Sequence, residues 1–323
     1  MTDKNNTGYR KLFIVGCPRS GTTWLWQMMK RHPDILSARQ ESHLYRLIYK
    51  PFTFVPQMKR AKRLQKRLWF LKHYGLLPLI FGASSQDTWR GVLRSYRLYE
   101  HGGEVGPHTI VGFEELKTLI QSVRQQSEPD LDRAKRLIEL IFDRYFQLSG
   151  GESHHIFMEK TPMHIDCLDV ILEQFPEAKA IIVTRDGRDV CASWQARAKT
   201  QKWARRSTED LIRLWNKCAD LSQKFQADAE LRDRIRLVRY EDLRKQPDIE
   251  LEALLSFVNL SASSDRINRI IDQLDINKIA DKGEGQHIRK GKVGDWRETL
   301  SDSDIHLWQT QAKESLLRLG YSV

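Results

Sequence analysis

Lys11-Leu12-Phe13-Ile14-Val15-Gly16-Cys17-Pro18-Arg19-Ser20-Gly21-Thr22-Thr23-Trp24 runs from an apolar strand into a glycine-bounded loop and then into a helix. Gly16 and Gly21 let the backbone turn tightly, so that successive N–H groups and the helix N-terminus point at one oxyanion. Thr22 and Thr23 add hydroxyl donors. A nucleoside triphosphatase loop reads GxxxxGK[ST]; here Gly21 is followed by Thr22 and Thr23, the lysine is missing, and the cation has moved to Arg19. No strand visibly ends in the aspartate that would hold Mg²⁺, so metal-assisted phosphoryl transfer from ATP lacks two of its working parts. An activated donor held without metal fits better, since charge-assisted hydrogen bonds contribute about 1.5–3 kcal/mol each.

The rest of the chain repeats the same grammar of short β-branched run, turn and helical pattern, which predicts an α/β fold with a P-loop-type central parallel sheet flanked by helices. Strands are expected at Leu12–Val15, Ile35–Ala38, Ile156–Met158, Ala180–Thr184 and Ile235–Arg239. Helices are expected at Thr22–Arg31, His164–Phe175 and Arg188–Lys199. A mostly helical insertion, about residues 45–150, separates the second strand from the third and is expected to cover the acceptor. The 323 residues are read as a single domain, 1–323, carrying that insertion. Within the insertion, Lys59–Lys72 holds seven basic residues and no acidic one, with Leu64, Leu68 and Leu71 at helical spacing. It reads as a solvated face over a core stripe, or as a peripheral contact with an anionic membrane or acidic acceptor.

Fifty-three basic against 42 acidic residues give a net charge of +11, which favours anionic ligands without naming one. No nucleic-acid module is recognisable, so no nucleic-acid partner is expected. Cys17, Cys167, Cys191 and Cys218 show neither CxxC nor His-paired spacing, which predicts reduced, mostly buried thiols rather than a zinc site or disulfides. The polar start and the lack of any long apolar run predict a cytoplasmic protein.

Pro18-Arg19-Ser20-Gly21-Thr22-Thr23-Trp24 after an apolar strand resembles the 5′-phosphosulfate loop of the sulfotransferases that use 3′-phosphoadenosine-5′-phosphosulfate (PAPS). PAPS also carries a 3′-phosphate, so such an enzyme needs a second anion site some distance from the first. Arg185, at the end of a strand where open α/β sheets bind ligands, and Ser193, eight residues on, match the family's 3′-phosphate positions. Arg289-Lys290-Gly291-Lys292-Val293-Gly294-Asp295-Trp296 is similar to the RKGxxGDW segment of the small-molecule members, which assigns Arg289, Lys290 and Gly291 to the same phosphate. Tyr240, in a segment similar to the family's YEDL, would sit near adenine, or else close the core as strand-end aromatics do. The resemblance spans residues 11 to 296 but not the insertion. It implies PAPS as co-substrate, no metal, adenosine 3′,5′-bisphosphate as product, and a small-molecule, lipid or carbohydrate acceptor.

Sulfuryl transfer needs a base for the nucleophile's proton and cations on the leaving phosphate. Arg19 and Lys160 are the candidate cations. Lys160 lies in an EKTP segment like that of the carbohydrate sulfotransferases, with an ion pair to Glu159 or another acid as its plain alternative. Glu41 is the candidate base, because carbohydrate and tyrosyl-protein members place a glutamate after a stretch similar to His32-Pro33-Asp34-Ile35. Small-molecule members use lysine where Arg19 stands and a histidine base. The sequence mixes the two subfamilies, and His43, His101, His108 and His164 stay open as bases, His43 nearest to Glu41. An ATP-dependent kinase of P-loop fold, and a non-catalytic nucleotide-binding adaptor at a membrane surface, are the rival readings.

Overall fold

The computed structural model describes residues 8–49, 85–102, 104–125, 130–274 and 292–323. In chain order, β1 (Arg10–Gly16), α1 (Thr22–Met29) and β2 (Ile35–Ser37) are followed by α2 (Leu44–Tyr49), α3 (Ser85–Gly102), α4 (Phe113–Arg124) and α5 (Asp130–Leu148). The chain then returns to β3 (Ile156–Lys160), α6 (Leu168–Gln174), β4 (Lys179–Thr184), α7 (Gly187–Thr200), α8 (Thr208–Ala227) and β5 (Ile235–Arg239). It closes with α9 (Tyr240–Lys245), α10 (Pro247–Phe257), α11 (Ser264–Gln273) and three short helices, α12 (Trp296–Thr299), α13 (Asp302–Gln311) and α14 (Lys313–Arg318).

Two compact units result: residues 9–37 with 154–323, and the helical unit 38–153. The first holds a five-stranded, all-parallel sheet in the order β2-β3-β1-β4-β5. Its central strands are buried along nearly their whole length because the β-branched and aromatic runs present apolar side chains to both faces. On one face Leu12, Ile14, Ile181 and Val183 meet Leu25, Met28 and Met29 of α1 and Leu251, Leu254 and Ile267 of α10 and α11. α8 packs on β4 and β5.

Strand order positions the site. From β1 the chain moves outward to β2, comes back to β3, and then crosses to β4 on the opposite side, so the C-terminal end of β1 is a switch point where the crossovers diverge and a crevice opens. The parallel direction brings Gly16, Lys160, Thr184 and Arg239 to one edge; the register pairs Ile14 with Lys160, Gly16 with Val183 and Thr184 with Arg239.

All five expected strands form. β3 runs on through Glu159 and Lys160, two residues past the expected end. The expected helix over His164–Phe175 is instead a 3-10 turn, Pro162–Cys167, followed by α6, because Pro162 can open a helix but donates no bond into one. α7 begins one residue early, at Gly187, where the Asp186 carboxylate caps it by accepting from Arg188 N at 2.9 Å. The buried Arg188 guanidinium pairs with the same carboxylate at 2.7 Å and donates to the Ser322 carbonyl at 2.6 Å. Such a charge is stable only with its donors used.

In the helical unit, α3 contacts α2 and α4, and α5 packs against α2 and α4. Val92, Tyr96, Leu116, Ile120, Leu137 and Phe142 are buried there, and Tyr96 donates to the Val111 carbonyl at 2.7 Å. Lys59–Lys72 lies outside the described residues. All four cysteines are free and buried. Among the described residues, no helix is long and apolar enough to cross a membrane.

Candidate active site

The loop after β1 is shaped by two positions that tolerate no side chain. Gly16 has φ 146°, and a Cβ there would lie 2.3 Å from the Val183 carbonyl oxygen. Gly21 has φ 94°, and its Cβ would lie 2.2 Å from the Tyr240 ring. Between them Arg19 also takes a left-handed φ of 77°, a strained conformation for a residue with a Cβ, which turns its side chain out of the path the strand would follow. Ser20 and Thr22 are buried; Pro18, Arg19, Gly21 and Thr23 are half-buried. The first bonds of α1 run from Trp24 N (3.0 Å) and Leu25 N (3.2 Å) to the Gly21 carbonyl, which leaves the amides of Thr22 and Thr23 at the helix mouth. Lys160 comes from β3 with only 3% of its surface exposed and donates from Nζ to Thr23 Oγ1 at 3.2 Å. The sequence-predicted loop and its second cation are therefore together.

The second cluster adjoins the first. Arg19 Nε donates to Ser193 Oγ at 3.0 Å, and Arg185 Nη1 donates to the Arg19 carbonyl at 3.4 Å. The Arg185 guanidinium lies 4.4 Å over the Tyr240 ring, whose edge meets Trp24 at a centroid separation of 6.0 Å. Tyr240 is buried and opens α9. It thus closes the core, and it also flanks both arginine and loop. Burial pushes its phenol above the usual range, against the pull of Arg185 and Arg244. Arg289, Lys290 and Gly291 lie outside the described residues. Their neighbour Lys292 accepts from Arg185 Nη2 through its carbonyl at 3.0 Å.

Asp189 was missed in the sequence and organises this edge. Its carboxylate accepts from Gly294 N at 2.8 Å and Trp296 N at 3.0 Å, and lies 3.6 Å from Arg185 Nη2. Burial raises its pKa; Arg185 and the two amides pull the other way. The signal was present as an acid four residues after Arg185, in the first turn of the helix that follows it. Arg185 Nε is buried and, among the described residues, has no hydrogen-bond partner. Together with Arg19, Lys160 and the open amides of α1, that orphaned donor is the donor-rich chemistry a polyanion requires.

The Glu159 carboxylate takes the Thr161 hydroxyl at 2.6 Å and His164 Nδ1 at 3.0 Å. His164 is wholly buried in that contact. In the helical unit, His43 Nε2 lies 3.4 Å from Glu41 Oε2, and the His43 ring stacks on Tyr99 at 5.3 Å. The Glu41 carbonyl accepts from Gly106 N at 2.7 Å. The two nearest candidate bases are thus one carboxylate–imidazole pair, a contact the two-residue spacing did not predict. His108 is half-buried in the turn Pro107–Thr109, and His101 lies on α3.

A family profile described as "Sulfotransferase family" matches residues 11–264. The chain belongs to the sulfotransferase family. Protein-tyrosine sulfotransferase 1 of Danio rerio is 24% identical over 250 residues, covering 77% of this chain and 53% of that protein, so the chain spans about half the length of that curated relative. Among solved structures, mouse sulfotransferase SULT7A1 complexed with PAP superposes with a TM-score of 0.53 at 13% identity, covering 97% of this chain and 85% of that one. The sulfotransferase domain of the Synechococcus PCC 7002 olefin synthase gives 0.49 at 15% identity, with both chains fully covered. At 13% identity the match to mouse SULT7A1 shows a shared fold and nothing finer.

Proposed function

We propose that this sulfotransferase-family chain moves a sulfuryl group from PAPS to a hydroxyl or amine acceptor and releases adenosine 3′,5′-bisphosphate. PAPS brings the activated sulfuryl group on a phosphate leaving group. The observation that carries the reading is convergence: Arg19, Lys160, Arg185, Ser193 and Tyr240, from four separate stretches of chain, meet at one sheet edge around the open N-terminus of α1. In this reading the amides of Thr22 and Thr23, Ser20, Arg19 and Lys160 hold the 5′-phosphosulfate and take up charge as the leaving phosphate forms. Arg185, Ser193 and the segment Arg289-Lys290-Gly291 hold the 3′-phosphate. Trp24 and Tyr240 flank the adenine.

Glu41 takes the acceptor's proton and His43 orients it. Ser37 ends β2 at the same sheet edge as the phosphate loop, and Glu41 follows four residues later in the sequence. Glu41→Gln should cut turnover about 100-fold or more while leaving cofactor affinity intact, and His43→Ala should cost less. The reverse ranking assigns the proton to His43.

The helical unit carries acceptor choice. The acceptors to test are small molecules, lipids and carbohydrates, and, from the name of the Danio rerio relative, the phenol of a protein tyrosine. A cytoplasmic location accords with four cysteines left as thiols. The deciding experiment is transfer of labelled sulfate from PAPS to fractionated extract, with identification of the labelled product. Adenosine 3′,5′-bisphosphate should bind at least tenfold more tightly than ADP without Mg²⁺; equal affinity or a strict Mg²⁺ requirement would point back to a kinase. Tight binding with no transfer to any acceptor would point to the adaptor.

A further inference from the structure

Glu159 and Lys160 are the last two residues of β3, and their side chains leave opposite faces of the sheet. Lys160 goes to α1, where it meets Thr23 at 3.2 Å and lies 5.3 Å from the Trp26 ring. Glu159 goes to the turn Pro162–Cys167, where Oε1 accepts from the Thr161 hydroxyl at 2.6 Å and Oε2 accepts from His164 Nδ1 at 3.0 Å. Glu159, Thr161 and His164 have no exposed surface at all. A carboxylate and an imidazole in such a place are a poor choice for stability alone, because a well-packed apolar pair of similar volume is often as stable or more so. What these two buried side-chain bonds add is a defined arrangement of the backbone that carries them.

That backbone is the segment on which Lys160 is rooted. Ahead of it, Lys160 is held by the β1 ladder opposite Ile14. Behind it, residues 159–164 are closed into a loop by the two side-chain bonds, by His164 N donating to the Thr161 carbonyl at 2.9 Å, and by the fixed φ of Pro162. The turn is tied to α8 as well, through Lys217 and Asp166 at 2.7 Å. A lysine has four rotatable bonds, and fixing its root is the main way a protein can aim its ammonium.

We propose that Glu159, Thr161 and His164 form a positioning device that aims Lys160 at the phosphate loop. The inference rests on the sulfuryl-transfer reading, in which Lys160 serves the leaving phosphate. Thr161, Glu159 and His164 are positioning residues, since they act through Lys160.

The test replaces the polar pair with apolar residues, Glu159→Met with His164→Leu, so that the core stays filled and the chain folds. Turnover with PAPS should fall tenfold or more, with a thermal midpoint close to that of the wild type. In a Lys160→Ala background the same pair of changes should cost nothing further, because the residue being aimed is gone. Glu159→Gln, which can keep both bonds once the imidazole switches tautomer, should stay within about threefold of the wild type. A second readout needs no activity: labelling of Lys160 by an amine-reactive reagent, followed by mass spectrometry, should speed up severalfold in the apolar pair, while Lys11, another buried lysine, is unchanged. Equal losses with and without Lys160, or unaltered Lys160 labelling, would overturn the proposal. If the wild type itself transfers no sulfuryl group, the functional reading fails, and the labelling result alone decides the positioning.

Discussion

Replacing Gly21 by alanine tests the most crowded point of the site. The added methyl would lie 2.2 Å from Tyr240 Cδ2 and 2.7 Å from Cε2, at a backbone φ of 94°. Left-handed backbone costs a residue with a Cβ about 1–2 kcal/mol, and overpacking a buried contact costs about 1–3 kcal/mol. The sum is about 2–5 kcal/mol. Tyr240 cannot swing aside cheaply, because Trp24 meets its edge, Arg185 covers its face and only 3% of it is exposed. In urea, with a slope of about 3 kcal/mol/M, the unfolding midpoint should drop by about 1 M. Adenosine 3′,5′-bisphosphate should also bind about tenfold or more weakly, because the displaced ring carries Arg185 with it. The cycle with Tyr240→Leu isolates the cause: the slimmer side chain relieves the overlap, so Gly21→Ala should then cost only its backbone share, about 1–2 kcal/mol. A Gly21→Ala protein within about 0.5 kcal/mol of the wild type, or an equal cost in both backgrounds, would refute the reasoning.

Arg185→Ala removes a guanidinium whose charge-assisted bonds contribute about 1.5–3 kcal/mol each, so calorimetric titration should show affinity for adenosine 3′,5′-bisphosphate lowered about 10- to 150-fold. Asp189→Ala frees the amides of Gly294 and Trp296; hydrogen exchange at both should accelerate, and cofactor affinity should fall even though the carboxylate itself repels anions. Glu241 is pushed above its usual 4.5 chiefly by burial, against the Asp186 amide that pulls it down. The folded chain therefore binds more protons there than the unfolded one, and this group's contribution to stability falls as pH rises from about 4.5 through the folded value. Glu241→Gln keeps an acceptor for Asp186 N and removes the titration, so its stability relative to the wild type should grow across that window in paired denaturation curves; a constant gap would count against the assignment.

The sheet was legible because its strands are short β-branched runs buried on both faces, a pattern few other structures tolerate; Ile181-Ile182-Val183-Thr184 is an example. The phosphate loop was legible because Gly16 and Gly21 are required by close approaches that no other residue allows. Contacts between elements distant in sequence were less so. Tyr240 against Gly21 and Asp189 against Gly294 depend on which strands become neighbours, and spacing along the chain does not encode strand order. The end of β3 was set too early because Glu159 and Lys160 look like solvent-facing charges, whereas a buried partner for each, His164 and Thr23, makes them strand residues. Pro162 marked a boundary, but a helix and a 3-10 turn share their first residues, and only packing chooses between them. The Glu41–His43 contact escaped because whether neighbours two apart meet depends on the local backbone, and His43 has φ 51°.

The bond from Arg188 to the Ser322 carbonyl ties α7 to the residues that follow α14. Arg188 shares the first turn of α7 with Asp189, on the same helix that presents Ser193. Displacing Ser322 would leave a sealed-in guanidinium short of an acceptor, and the helix bearing Ser193 would have to shift or admit water. A disturbance at Ser322, 129 residues along the sequence from Ser193, would then reach that helix with every one of its own residues intact.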